Sequence, residues 1–392
     1  MEPERSLKLS IWEGALSVLF LNWSTGVLLT GYALVLGASP GALAVLGGLP
    51  FLAQLLAPLA LFLRGSRKAL AARLNLLARA LFLPAVLVSF LPEALRVPGL
   101  LLFAGLSQLL AAPVGVLWLS WMADLVPEEK RGRYFGLRNA LLGLVGTLGN
   151  LLGGAVADRL PPPLGYQAVL LLGVALGLLS VRLLWLQAEP PPPSSPSPLE
   201  ALRAAGRDRT YLRYLAWVFA WYLAVMVGGP YAIPYFVQVG GFSMTQVGLW
   251  TVLSAVSGLL FGPLWGRMAD REGHGTVLFR TALVAALMPL LWLAGSRGFP
   301  WPIWLAALAD ALAWSGLNTA LANAALAHAP KAARGGYLAL FWLALGLGGL
   351  GGSLGASGLS RLSSEPSPYH LPILASTALR LLVALGLRRL TP

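Results

Sequence analysis

Asp310, Trp314 and Asn318 stand at i, i+4 and i+8 of the stretch "WLAALADALAWSGLNTALA", so an acid, an indole and an amide share one face of a helix. About ten residues of mostly apolar chain precede the acid, roughly 15 Å at 1.5 Å per residue. That depth is near the middle of a ~30 Å hydrocarbon core. An ionisable group there costs at least about 3 kcal/mol, which marks it as functional by default. Asp310 is read as a substrate contact or a proton-carrying site. Glu13 is a second candidate, about one turn into the first apolar run, where a helix dipole would also favour it. Asn22 and Thr25 follow deeper on the same helix at i and i+3. Trp217 and Trp221, with Tyr214 at the same helical spacing, form a stripe able to hold an apolar or cationic ligand. The same spacing also describes simple packing. Gly228, Gly229, Pro230 and Pro234 follow and are expected to break that helix near its end.

These residues sit in a chain of 392 residues that is 57% apolar and 11% charged, with mean hydropathy +0.74. A soluble protein of this size carries about a quarter charged residues. Apolar runs long enough to cross a membrane recur about twelve times. The first is too long for a signal-peptide core and is read as a retained span. With no cysteine, thiol catalysis, thiolate metal sites and disulfides are excluded. The histidines (His274, His328 and His370) fall in separate loops, and none of the lysines sits in a phosphate-binding loop. No metal and no cofactor are expected. An enzyme would need a reactive cluster, and none is visible.

The net charge of +13 is orientational. Most of the lysines and arginines fall on alternate loops, which puts both termini in the cytoplasm and argues against a nucleic-acid partner. Arg79, Arg182, Arg280 and Arg380 fall within or beside spans and are expected to snorkel toward the cytoplasmic surface. Between the sixth and seventh spans, "AEPPPPSSPSPLEALRAAGRDR" reads as an extended linker followed by a short amphipathic helix. The chain thus divides into 1–187, a six-helix bundle; 188–209, a cytoplasmic linker; and 210–392, a second six-helix bundle. "PEEKRGRYFGL" (Pro127–Leu137) and "PKAARGGYLAL" (Pro330–Leu340) align without gaps at a spacing of 203, and the same spacing pairs Gly26 with Gly229 and Tyr32 with Tyr235. Two halves that repeat in the same orientation are a design of secondary transporters.

The stretch "GRMADREG" (Gly266–Gly273) resembles the G-x-x-x-D-R-x-G signature of the major facilitator superfamily, at the turn between the second and third spans of the C-terminal half. The N-terminal copy, "LFLRGSRKAL", keeps the basic residues and lacks the aspartate. The resemblance implies an all-α membrane protein with twelve transmembrane helices in two pseudo-symmetric six-helix bundles. It also implies a cytoplasmic gate of Gly266, Asp270, Arg271 and Gly273, in which Asp270 caps the fifth span of its half at Gly335. Arg334, with its repeat partner Arg131, stands beside that contact. The first and fourth spans of each half would line a substrate cavity, which places Asp310, Trp314, Asn318, Glu13, Asn22 and Thr25 there. "GTLGNLLGGAVAD" (Gly146–Asp158) resembles the antiporter core G-P-x-x-G-G of drug exporters, with Asn150 in place of proline. The glycine run "GLGGLGG" (Gly346–Gly352) is read as a close helix approach.

The expectation is a proton-coupled secondary transporter of a small molecule working by alternating access, monomeric, in a bacterial cytoplasmic membrane. Export is preferred to import, on span five and the span-seven aromatics. An importer of a small metabolite, or a sensor on the same fold that binds without net flux, is the alternative.

Overall fold

The computed structural model describes residues 2–190, 197–330, 333–362 and 366–387. It contains two compact units, one formed by 1–38 with 53–195 and the other by 39–52 with 196–392. Residues 191–196 of the expected linker fall outside the described set.

In the first unit, α1 (Glu2–Thr25) and α2 (Val27–Val35) run as one span, followed by α3 (Pro40–Gln54), whose residues through Leu52 group with the second unit. Then come α4 (Arg67–Leu87), α5 (Glu93–Leu125), α6 (Glu128–Arg159) and α7 (Leu164–Trp185). Across the described part of the linker lies α8 (Pro198–Arg207), with Ala201 and Ala205 buried. The second unit continues with α9 (Arg209–Gly228) and α10 (Ala232–Gln238), joined by a 3-10 turn at Gly229–Tyr231 where glycines and proline interrupt the α-helical bonding. It closes with α11 (Met244–Glu272), α12 (His274–Leu293), α13 (Trp301–His328), α14 (Arg334–Ser360) and α15 (His370–Leu387).

Among the described residues, eleven helical segments are long and apolar enough to cross a membrane. The remaining long helix is α13, 28 residues from Trp301 to His328. The chain is an all-α membrane protein of twelve spans in two six-helix bundles. A helix pairs its backbone polar groups along its own length, the condition for crossing lipid.

The glycine run does what its composition suggests. A Cβ at Gly348 or Gly352 would collide with the carbonyls of Phe219 and Leu223 on α9, one helical turn apart. Glycine therefore sets how closely α14 and α9 approach, and packing at that distance substitutes for the hydrophobic drive that lipid removes. Residues expected in loops are helical instead. α11 continues through "GRMADRE" to Glu272, and only Gly273, at φ +86°, turns the chain before α12. The "EEKRGR" segment is the first part of α6. The histidines likewise start or end helices: His274 opens α12, His328 closes α13 and His370 opens α15.

Candidate functional site

Asp310 lies on α13, partly buried, and its Oδ2 accepts a hydrogen bond from the Ser254 hydroxyl on α11 at 2.7 Å. Among the described residues, the charged group that acts on it is Arg380 of α15. A carboxyl group held mid-span by one neutral hydroxyl can exchange a proton without breaking a short ion pair. Trp314, one turn on, packs against the core of the second unit, and Asn318 is exposed. The acid, indole and amide do share one helix, but the structure brings only the acid into a polar contact.

Glu13 is in a different setting. It is 4% exposed on α1, with its Oε2 3.5 Å from Nη2 of Arg138 on α6. The Arg138 guanidinium stacks on the Trp118 ring of α5, 4.1 Å from its centroid. The charge of Arg79 on α4 also acts on Glu13. One carboxylate thus faces two guanidiniums inside the first unit. Arg138 lies ten residues into α6, roughly 15 Å from its start. It is a residue that sequence reasoning missed. The signal was present: a cation this far into an apolar helix needs an acid.

Asn22 is partly buried on α1, and its side chain lies against Gly146 of α6. Thr25 is exposed and donates to its own helix at Leu21 O, 2.7 Å. Trp217 and Trp221 stack at 5.6 Å and 10° inside the core of the second unit. The Trp217 indole donates to Val383 O at 3.1 Å. They are packed within the bundle, which is the plain reading of their spacing. The snorkelling expected of Arg79 and Arg380 is overturned: they are 2% and 1% exposed, held by groups within their own bundles.

At the end of the second unit where α11 meets α12, Gly266 and Arg271 are exposed on α11, and Arg334 is exposed at the start of α14. The Asp270 side chain lies outside the described residues, so its expected cap on α14 does too. The described ion pair here is Glu272 to Arg280, 2.7 Å, between α11 and α12. Arg131 on α6 donates through Nε to Val126 O at 3.1 Å. The repeated tyrosines make matching ties. Tyr134 donates to Leu7 O at 3.3 Å on α1, and Tyr337 donates to Asp208 at 3.1 Å, where α9 begins. Asp208 also caps α9 by accepting from Tyr211 N at 2.9 Å, and that backbone N–H holds its carboxyl below the usual range.

In the first unit a polar cluster gathers at the motif copy that lacks the aspartate. Arg67 at the start of α4 pairs with Asp124 at the end of α5, 2.5 Å, and donates to Pro190 O at 3.3 Å. Lys68 donates from its backbone to Glu189 at 3.2 Å and from Nζ to Gln187 O at 3.0 Å. Third span, fourth span and the segment after the sixth are thereby tied together. The described partner of Asp124 is thus the basic residue of the aspartate-free motif copy.

No curated protein matches the chain in sequence. Among solved structures, a variant of the nucleoside transporter NupG superposes with TM-score 0.79 at 14% identity, covering 98% of this chain and 100% of that one. A D-xylose-proton symporter gives 0.77 at 16% identity, covering 100% and 98%. A bacterial homologue of the iron transporter ferroportin gives 0.68 at 15%, covering 98% of each. At such identities these likenesses establish the fold alone. The family model of the Major Facilitator Superfamily matches residues 11–353. Span for span and in sequence, the chain belongs to the major facilitator superfamily of secondary transporters.

Proposed function

We propose that the chain is a proton-coupled secondary transporter of a small organic solute, with Asp310 as the residue that takes up and releases the proton. The observation that carries this is the placement of Asp310 mid-span with a single neutral hydrogen-bond partner, Ser254. A carboxylic acid that far from water is retained at a cost of at least about 3 kcal/mol, and a role in binding or proton transfer accounts for it. Glu13, opposed by Arg138, is read as the structural ion-pair partner within its bundle. Alternating access is the working mode of the family, and one solved structure with this fold is a D-xylose-proton symporter. The positive charge on alternate loops supports cytoplasmic termini and a multi-pass protein of a bacterial cytoplasmic membrane.

Export rests on span five, where "GNLLGG" keeps the glycines of the antiporter core and Asn150 replaces proline. The span-seven aromatics no longer support it, since Trp217 and Trp221 are core residues.

The test begins with thermal shift of the purified protein against nucleosides, sugars, organic acids and cationic drugs. The stabilising compound is then followed in proteoliposomes with an imposed pH gradient. A gradient that drives or alters its flux in wild type but not in D310N is the expected result. Flux indifferent to pH in both would overturn the coupling, and binding without counterflow would favour a sensor on the same fold.

A further inference from the structure

The two deeply buried arginines that the proposed mechanism leaves idle occupy matching places in the two bundles. Arg79 lies on α4, the third span of its unit. It donates through Nη1 to Gly177 O on α7 (2.5 Å) and through Nη2 to the Ser17 hydroxyl on α1 (2.8 Å). Arg380 lies on α15, the sixth span of its unit. It donates to Ala285 O on α12 (2.9 Å) and to Val225 O on α9 (3.1 Å). Each arginine therefore joins the first, third and sixth spans of its own bundle. Each also keeps a buried Nε–H without a hydrogen-bond partner.

The repeat spacing of 203 aligns Arg79 with Ala282 and Gly177 with Arg380. The halves have exchanged walls: one carries arginine on the third span against a small residue on the sixth, the other the reverse. The geometry supports a shared volume. A Cβ at Gly177 would lie 3.1 Å from Arg79 Cδ and 3.2 Å from its Nε, so a side chain grown from 177 enters the space that Arg79 fills. Ala282 is fully buried, one turn before the Ala285 carbonyl that Arg380 holds. Each arginine's charge acts on the buried acid of its unit, Arg79 on Glu13 and Arg380 on Asp310; Arg138 is the further cation acting on Glu13. An uncompensated charge at such depth is unstable, so a cation beside each acid is a requirement of the bundle, whichever helix supplies it.

We propose that Arg79 and Arg380 are the same positioning residue of the repeat, a cation at the junction of first, third and sixth spans that compensates the bundle's acid and can be supplied from either wall. This rests on the reading of Asp310 as the coupling acid, with Glu13 its counterpart. The experiment moves each arginine across in the full-length protein, as R79G/G177R and A282R/R380G, beside R79G, G177R, R380G and R380K.

Two quantities are read: the unfolding temperature in detergent, and the pH midpoint of the protonated-carboxyl infrared band, assigned to Asp310 by its absence in D310N. The single glycine variants should lose roughly 5 °C or more. G177R should lose at least as much, because Arg79 still fills the space. Each double variant should recover most of that loss. R380G should displace the Asp310 midpoint by about one pH unit or more. A282R/R380G and R380K should return it to the wild-type value. Where R380G does not fold, A282R/R380G is compared with wild type directly, and a folded protein with the wild-type midpoint supports the proposal.

Double variants no better than the singles would overturn it. So would an Asp310 midpoint indifferent to R380G, which would make the arginine a brace and nothing more. If the swaps rescue stability and midpoint while flux ignores the pH gradient, the coupling reading fails and the shared cation site stands.

Discussion

The two bundles hold their buried acids in opposite ways. In the first, Glu13 faces Arg138 at 3.5 Å, within a guanidinium stack on Trp118 and with Arg79 acting on it from α4. In the second, Asp310 is held at 2.7 Å by the hydroxyl of Ser254, with Arg380 committed to two backbone carbonyls. Removing one partner of a buried ion pair strands the other charge, so Glu13 and Arg138 depend on one another. A hydroxyl can donate to a carboxylate or accept from a carboxylic acid, so Ser254 serves both forms of Asp310. On the proposed function, the pairing in the first bundle is structural and the acid of the second is the exchangeable one.

Substitutions that exchange these two roles would break the comparison. The largest effect belongs to D310N, which should reduce pH-driven flux to background in proteoliposomes while leaving ligand-induced thermal stabilisation in place. E13A comes next. It strands Arg138 within the bundle and should cost about 3 kcal/mol, read as a fall in unfolding temperature, with the protein that remains folded still responding to a pH gradient. At the contact of α9 and α14, G352L drives a side chain into the Leu223 carbonyl and should cost about 1–3 kcal/mol through forced separation of the helices.

The smallest effect is at Asp208, where D208A should cost about 1 kcal/mol through the lost cap of α9. Its carboxyl is held below the ordinary range, chiefly by Tyr211 N–H. Its contribution is therefore present above the ordinary carboxylate pKa and fades as pH falls through the lowered folded value. D208A should accordingly narrow its gap from wild type in acid, measured as unfolding temperature against pH.

Much of the fold was legible because lipid imposes a simple rule on sequence: long apolar runs, basic loops on one side, glycines where helices touch. Gly348 and Gly352 lie where that rule places them, and "LEALRAAGR" forms the helix its pattern suggests. Turns were harder to read. "GRMADRE" looks like a loop by its glycine and charges, yet one glycine costs a helix only about 1 kcal/mol and its neighbours favour helix, so α11 runs on to Glu272. The site was legible one residue at a time and not in pairs. Asp310 stood out by its depth, but nothing local announces Ser254 on another span. Arg138 and Arg79 meet Glu13 only after the chain has crossed the membrane several times. Periodicity identified the Trp217 and Trp221 face without saying whether core or ligand would fill the space beside it, and core does.

The most direct test uses proteoliposomes loaded with a pH-sensitive dye and challenged with the compound found by thermal shift. Proton movement on addition of that compound is predicted for wild type and for E13Q, and its absence for D310N. Proton movement in D310N equal to wild type would contradict the assignment of the exchangeable proton to Asp310.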